Sequence, residues 1–83
     1  MGERQVGTVT HWFGHLGVAA MTLREALRVG DRIRLKGKTT DFTTTVDRMQ
    51  VDHADVKEAK PGDDVAVHLG QKAREHDAVL KVD

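Results

Sequence analysis

The chain contains no cysteine, no serine and no tyrosine, only one proline and one tryptophan, and its charges cancel. Each shortage excludes something. Without thiols, neither disulfides nor a thiolate zinc site can brace the fold, and the simpler expectation is an intracellular, cytoplasmic protein. Without serine or cysteine, the usual nucleophiles of acyl transfer are missing. His53-Ala54-Asp55 and His76-Asp77 could each pair a base with a carboxylate, but neither has a nucleophile to activate, so no enzyme is expected. The aromatics Trp12, Phe13 and Phe42 are too few for a platform that stacks single-stranded bases. Thirteen basic and thirteen acidic side chains balance. A protein that holds nucleic acid by neutralising phosphates is usually basic overall, so any such contact must come from a local patch. The longest strictly apolar run, Val18-Ala19-Ala20-Met21, is far too short to span a membrane. The start, Met1-Gly2-Glu3-Arg4-Gln5, is charged and leads into no apolar stretch, so no signal peptide is expected.

What is present is a repeated turn. Val29-Gly30-Asp31-Arg32-Ile33-Arg34-Leu35 and Pro61-Gly62-Asp63-Asp64-Val65-Ala66-Val67-His68-Leu69 echo each other 32 residues apart. In both, Gly-Asp opens a run whose apolar residues alternate with polar or small ones. Glycine supplies the positive φ of a tight turn, Asp can bond the nearby backbone, and period 2 marks a strand with one buried face. With 83 residues, the chain is expected to form one domain over 1–83 with a modest core.

The remaining periodicity predicts short strands. One runs from about Gln5 to Phe13, with Val9, His11 and Phe13 on one face and Thr8, Thr10 and Trp12 on the other. A turn at Gly14-His15 leads to a returning strand, Leu16 to Leu23, apolar or small on both faces. Arg24 to Arg28 forms one helical turn at most. Arg32 to Lys36 follows, with Ile33 and Leu35 inward. Thr43 to Val51 is one β-branched strand with a bulge near Asp47-Arg48. Val56 to Ala59 is a short edge segment. Val65, Val67 and Leu69 face inward, and Asp77 to Val82 closes the sheet through Leu80 and Val82. The whole predicts an all-β fold, a single small closed antiparallel barrel of six or seven strands, and closure would remove exposed edges.

Few motifs carry chemistry. Gly37-Lys38-Thr39-Thr40 imitates the end of a phosphate-binding P-loop, but Arg32 stands where the motif needs its first glycine. The sequence that follows is strand-forming where the motif needs a helix, so no nucleotide binding is expected. His11 and His15 have helical metal-ligand spacing, yet Gly14 and the strand pattern argue against a helix, and no third ligand is evident; no metal or cofactor is expected. Two basic groups remain. Arg24, Arg28, Arg32, Arg34 and Lys36 cluster in sequence, those on the strand projecting from its outer face, and Gln71-Lys72-Ala73-Arg74 forms a basic loop. A solvated wall with interspersed acids is one reading of them; a patch that tracks phosphates is the other.

Gly7-Thr8-Val9-Thr10, Leu27 to Gly37, Thr45 to Gln50 and Val56 to Val67 stand in the order found in domain 2 of translational GTPases. Over nearly its whole length the chain resembles the β-barrel of elongation factor Tu and initiation factor 2, and the barrel appended to some U32-type peptidases is similar. The resemblance implies a free-standing, translation-factor-like barrel without a GTPase domain, serving protein biosynthesis by binding tRNA, rRNA, the ribosome or another ribonucleoprotein. Arg32, Arg34, Lys36, Arg48, Lys72, Arg74, Trp12 and His15 are the candidate contacts for RNA or a partner. The alternative is a protein–protein interaction module that acts in trans for a GTPase or a U32-type peptidase.

Overall fold

A computed structural model describes residues 3–82; Met1, Gly2 and Asp83, and with them the extreme start read above, lie outside the described residues. Ten strands follow in order: β1 (Glu3–Phe13), β2 (Val18–Leu23), β3 (Leu27–Arg28), β4 (Arg32–Lys36), β5 (Asp41–Thr45), β6 (Met49–Val51), β7 (Ala54–Val56), β8 (Glu58–Ala59), β9 (Asp64–His68) and β10 (Ala78–Val82). Eight form one antiparallel sheet in the order β5-β4-β10-β1-β2-β9-β6-β7, and β3 and β8 pair as a separate ribbon. The all-β expectation holds.

The closed barrel does not. β5 and β7 stand at opposite ends of the sheet, and no ladder joins these ends among the described residues. The sheet is nevertheless strongly curled. Laid flat at about 4.8 Å per strand, β5 and β6 would lie roughly 29 Å apart. Only Val46, Asp47 and Arg48 connect them, and such a link reaches at most about 14 Å. The predicted strand Thr43 to Val51 is therefore two strands and a crossing, where a bulge was expected. Val46 ends the first: its N–H donates to Asp31 O (2.9 Å) and its carbonyl accepts from Gly30 N (2.8 Å). Met49 then pairs with Val67 on β9.

The curl encloses one core, built from Val6, Val9, Ala19, Met21, Leu23, Ile33, Leu35, Val46, Met49, Val65, Val67 and Val79. Leu27 and Ala59 join it from the ribbon, where they pair directly. Each fully buried aliphatic side chain contributes on the order of 2 kcal/mol relative to exposure. The faces of three strands differ from those expected. β1 carries a register shift between Val9 and His11, so Trp12 packs on the core beside Val9, while His11 and Phe13 turn outward. On β10, Val79 is the buried residue, and Leu80 and Val82 are only half-buried. β2 is buried on one face alone, through Ala19, Met21 and Leu23.

The echoed turns have one geometry. In Arg28–Asp31 and Lys60–Asp63, the Asp N–H donates to the carbonyl three residues back (3.1 and 3.0 Å). In return an Asp Oδ2 accepts from that residue's N–H, at 2.9 Å in both. Gly30 (φ 100°) and Gly62 (φ 91°) occupy the third position, as a type II turn requires. A third copy is present at Arg74–Asp77, with the same two bonds at 3.2 and 2.8 Å and His76 at φ 73° in the glycine position.

Candidate functional site

Two surfaces concentrate the exposed features. The first is the outer face of β1, β2, β9 and β6. Cross-strand pairing sets His11, Ala20, Ala66, Gln50 and Asp55 in one row, and Phe13, Val18 and His68 in the next. The middle of the face is therefore small and apolar. Above it stands the β1–β2 hairpin, whose turn bonds Leu16 N and Gly17 N to Phe13 O (3.1 and 3.0 Å). Leu16 at the tip is 58% exposed, Phe13 37%. Leu16, Val18, Ala66, Arg48, Gln50 and His68 line a groove of about 230 Å³. Ala66 and Gln50 continue it into a second hollow beside Asp52, His53 and Asp64. The rim is polar and paired: Asp47 lies 3.4 Å from His68 Nδ1, and Arg48 3.3 Å from Asp55. The Asp55 carboxyl is held below its ordinary range by Gln50 and then by Arg48.

The second surface is a cleft beside the loop after β9. His11, Trp12, Lys72, Arg74, Glu75 and His76 line one part of it, of about 440 Å³. Arg74, Glu75 and His76 continue into a second part, about 430 Å³, against Gly37, Lys38 and Thr39. Glu75 reaches His11 Nδ1 at 3.3 Å.

The residues singled out from the sequence thus separate. Trp12, Lys72 and Arg74 come together in the cleft, and Arg48 borders the groove on the other surface. His15 is exposed in the hairpin turn. Arg32 and Lys36 are exposed on β4, but Arg34 between them is engaged. Its Nε and Nη2 grip Asp41 at 2.7 and 2.8 Å, and Nη1 reaches Glu3 at 3.1 Å. These carboxylates raise the guanidinium pKa further, and the pairing lowers that of Asp41. The basic strip of β4 is interrupted at its centre. Gly37-Lys38-Thr39-Thr40 is the β4–β5 hairpin turn, closed by Gly37 N to Thr40 O (2.7 Å), and a strand follows it.

Sequence reasoning missed Leu16 and Phe13 as surface features. Phe13 was placed on a face with Val9, and only the irregularity of β1 turns it out. Among the described residues, no helix is long and apolar enough to cross a membrane.

Comparison with solved structures gives the fold directly. Two crystal structures of the C-terminal domain of a putative U32 peptidase from Geobacillus thermoleovorans superpose with TM-scores of 0.89 and 0.87. Each covers 95% of this chain, over 92% and 99% of theirs, at 18% and 17% identity. The chain shares the fold of these domains. In sequence it is 38% identical over 76 residues to an uncharacterized protease of Methanocaldococcus jannaschii. That match takes in 90% of this chain but spans only about a fifth (19%) of the length of the curated relative. No family model matches. The resemblance to domain 2 of elongation factor Tu is corrected accordingly: the solved structures sharing this fold are C-terminal domains of a putative U32 peptidase, the matched relative is named a protease, and neither comparison supports the translation and RNA-binding roles drawn from that resemblance.

Proposed function

We propose that this chain is a non-catalytic interaction module that docks on a U32-type peptidase catalytic domain through the outer face of β1, β2, β9 and β6. The observation that carries the reading is the exposed Leu16 beside a groove with Val18 and Ala66 in its lining and Arg48, Gln50 and His68 around them, with the exposed Phe13 on the neighbouring strand. An apolar centre inside a polar rim is the anatomy of a protein interface. The likeness to U32 peptidase C-terminal domains supports the choice of partner. So does the relative named as a protease, in which the matched segment accounts for a fifth of the chain and leaves the rest for chemistry. On this reading the domain supplies contact area, and catalysis resides in the partner.

The test mixes the purified chain with the M. jannaschii protease from which the matched segment has been deleted. Co-elution on size exclusion is expected, and it should be lost for the Leu16→Asp variant. Separate elution of the unaltered chain at high micromolar concentration would refute the proposal.

A further inference from the structure

The docking face leaves the cleft beside the loop after β9 unused. Of the thirteen basic side chains, five are ion-paired among the described residues, Arg4 with Glu25, Arg28 with Glu58, Arg34 with Asp41 and Glu3, Arg48 with Asp55 and Lys81 with Asp31, and the other eight are not. Lys38, Lys72 and Arg74 have no carboxylate within ion-pair distance among the described residues, and all three line the two joined parts of this one cleft. Two carboxylates share the lining, Glu75, which is bonded to His11, and the buried Asp77, which accepts from the N–H of Arg74, so the cleft keeps an excess of positive charge that is smaller than its three cations alone would give.

The cations also sit on a fixed frame. Val9 bonds the loop in both directions, donating to Asp77 O (2.9 Å) and accepting from His76 N (2.8 Å). Ala73 between Lys72 and Arg74 is fully buried. On the far side, Gly37 packs against the Asp77 side chain, which sets the Lys38 turn beside the loop. A cleft in which three cations outnumber two carboxylates, set on an anchored loop and the turn packed beside it, lowers the reorganisation needed to take a multiply charged anion. Arg offers a planar fork for oxyanions and Lys a point charge.

We propose that this cleft binds a small polyanion through its oxyanion groups, with Lys38, Lys72 and Arg74 as the contacts and the half-buried Trp12 as part of the wall. The cleft adjoins the docking face at His11, but Lys38, Lys72 and Arg74 lie outside that face, so either proposal can fail without the other.

The experiment is an NMR titration of the 83-residue chain with inorganic pyrophosphate, and in a parallel arm with citrate. Saturable shifts are expected at the Trp12 indole, at Lys38 and Thr39, and across residues 72–76. The Lys72→Ala/Arg74→Ala variant should bind about tenfold more weakly or worse. Lys57→Ala/Lys60→Ala, which removes cations lying outside the cleft, should leave binding unchanged. Lys38→Ala/Lys72→Ala serves as a second variant if Arg74 proves necessary for folding, which the spectrum of each variant reports. Tighter pyrophosphate binding identifies phosphate as the source of the anion, and tighter citrate binding a polycarboxylate; either supports the site. Shifts scattered over Arg24, Arg32 and Lys57, equal weakening by the Lys57/Lys60 variant, or no response to either anion would overturn it.

Discussion

The carboxylate of Asp77 lies against Gly37 so closely that a Cβ at residue 37 would overlap its Oδ1. Asp77 is only 4% exposed, and its other oxygen closes the Arg74 turn. This contact explains the glycine of the P-loop-like tetrapeptide: the site needs hydrogen there because the neighbouring Arg74–Asp77 turn presents a carboxylate. Gly37→Ala is expected to destabilise the domain by about 1–3 kcal/mol, since Asp77 must either shift or give up its bond. Urea unfolding measures the loss, and an unchanged midpoint would show that the contact is slack.

His76 holds a backbone conformation that glycine holds in the two sister turns. A left-handed residue with a side chain costs roughly 1–2 kcal/mol, part of which glycine gives back through its freer unfolded chain. His76→Gly should therefore stabilise the domain by about 0.5–1 kcal/mol in the same assay, and Gly62→Ala should do the reverse. The hairpin between β6 and β7 offers a parallel case, because Asp52 (φ 52°) and His53 (φ 65°) occupy both positions of a two-residue turn that favours Asn-Gly.

Arg34 and Asp41 give a pH signature. The folded pKa of Asp41 is lowered by its hydrogen bonds from Arg34. A depressed carboxylate contributes stability that is fully present above its unfolded pKa, about 3.9, and lost as pH falls through the lower folded value. Asp41→Asn should thus destabilise the chain at pH 7, with the difference from the unaltered chain shrinking below pH 4. Denaturation midpoints compared at pH 7 and near pH 2 check the sign; a constant difference would assign the effect to packing.

Much of this fold is legible in the chain itself. Ile33 and Leu35, and Val65 and Val67, announce their strands by strict alternation, and Gly30-Asp31 and Gly62-Asp63 announce the turns before them. Legibility fails where one residue departs from a rule. His76-Asp77 hides a third copy of the turn, because a histidine stands in the position that identifies it. The irregularity of β1 near Thr10 inverts the faces of His11, Trp12 and Phe13, and no local residue type signals it. Val46 to Arg48 looks like a strand interior because Thr43 to Val51 is β-branched; its true course depends on β4 and β9, which are distant in sequence. Closure of the barrel rested on strand count, and strand count does not decide whether the last edges pair. The same limit applies to the site. Lys72, Arg74 and Trp12 were singled out individually, but their meeting depends on the loop's two bonds to Val9. The engagement of Arg34 is not legible locally either, because its carboxylate partners Glu3 and Asp41 lie on β1 and β5.

The docking proposal is tested most directly by mapping the surface that the partner covers. Isotope-labelled chain should be titrated with the M. jannaschii protease lacking its matched segment, and backbone amide signals followed. The account predicts broadening confined to residues 13–20, 48–50 and 64–68, with Phe13→Asp abolishing it. Broadening centred on the Lys72–Arg74 loop or on β5, or spectra that do not change at all, would contradict it.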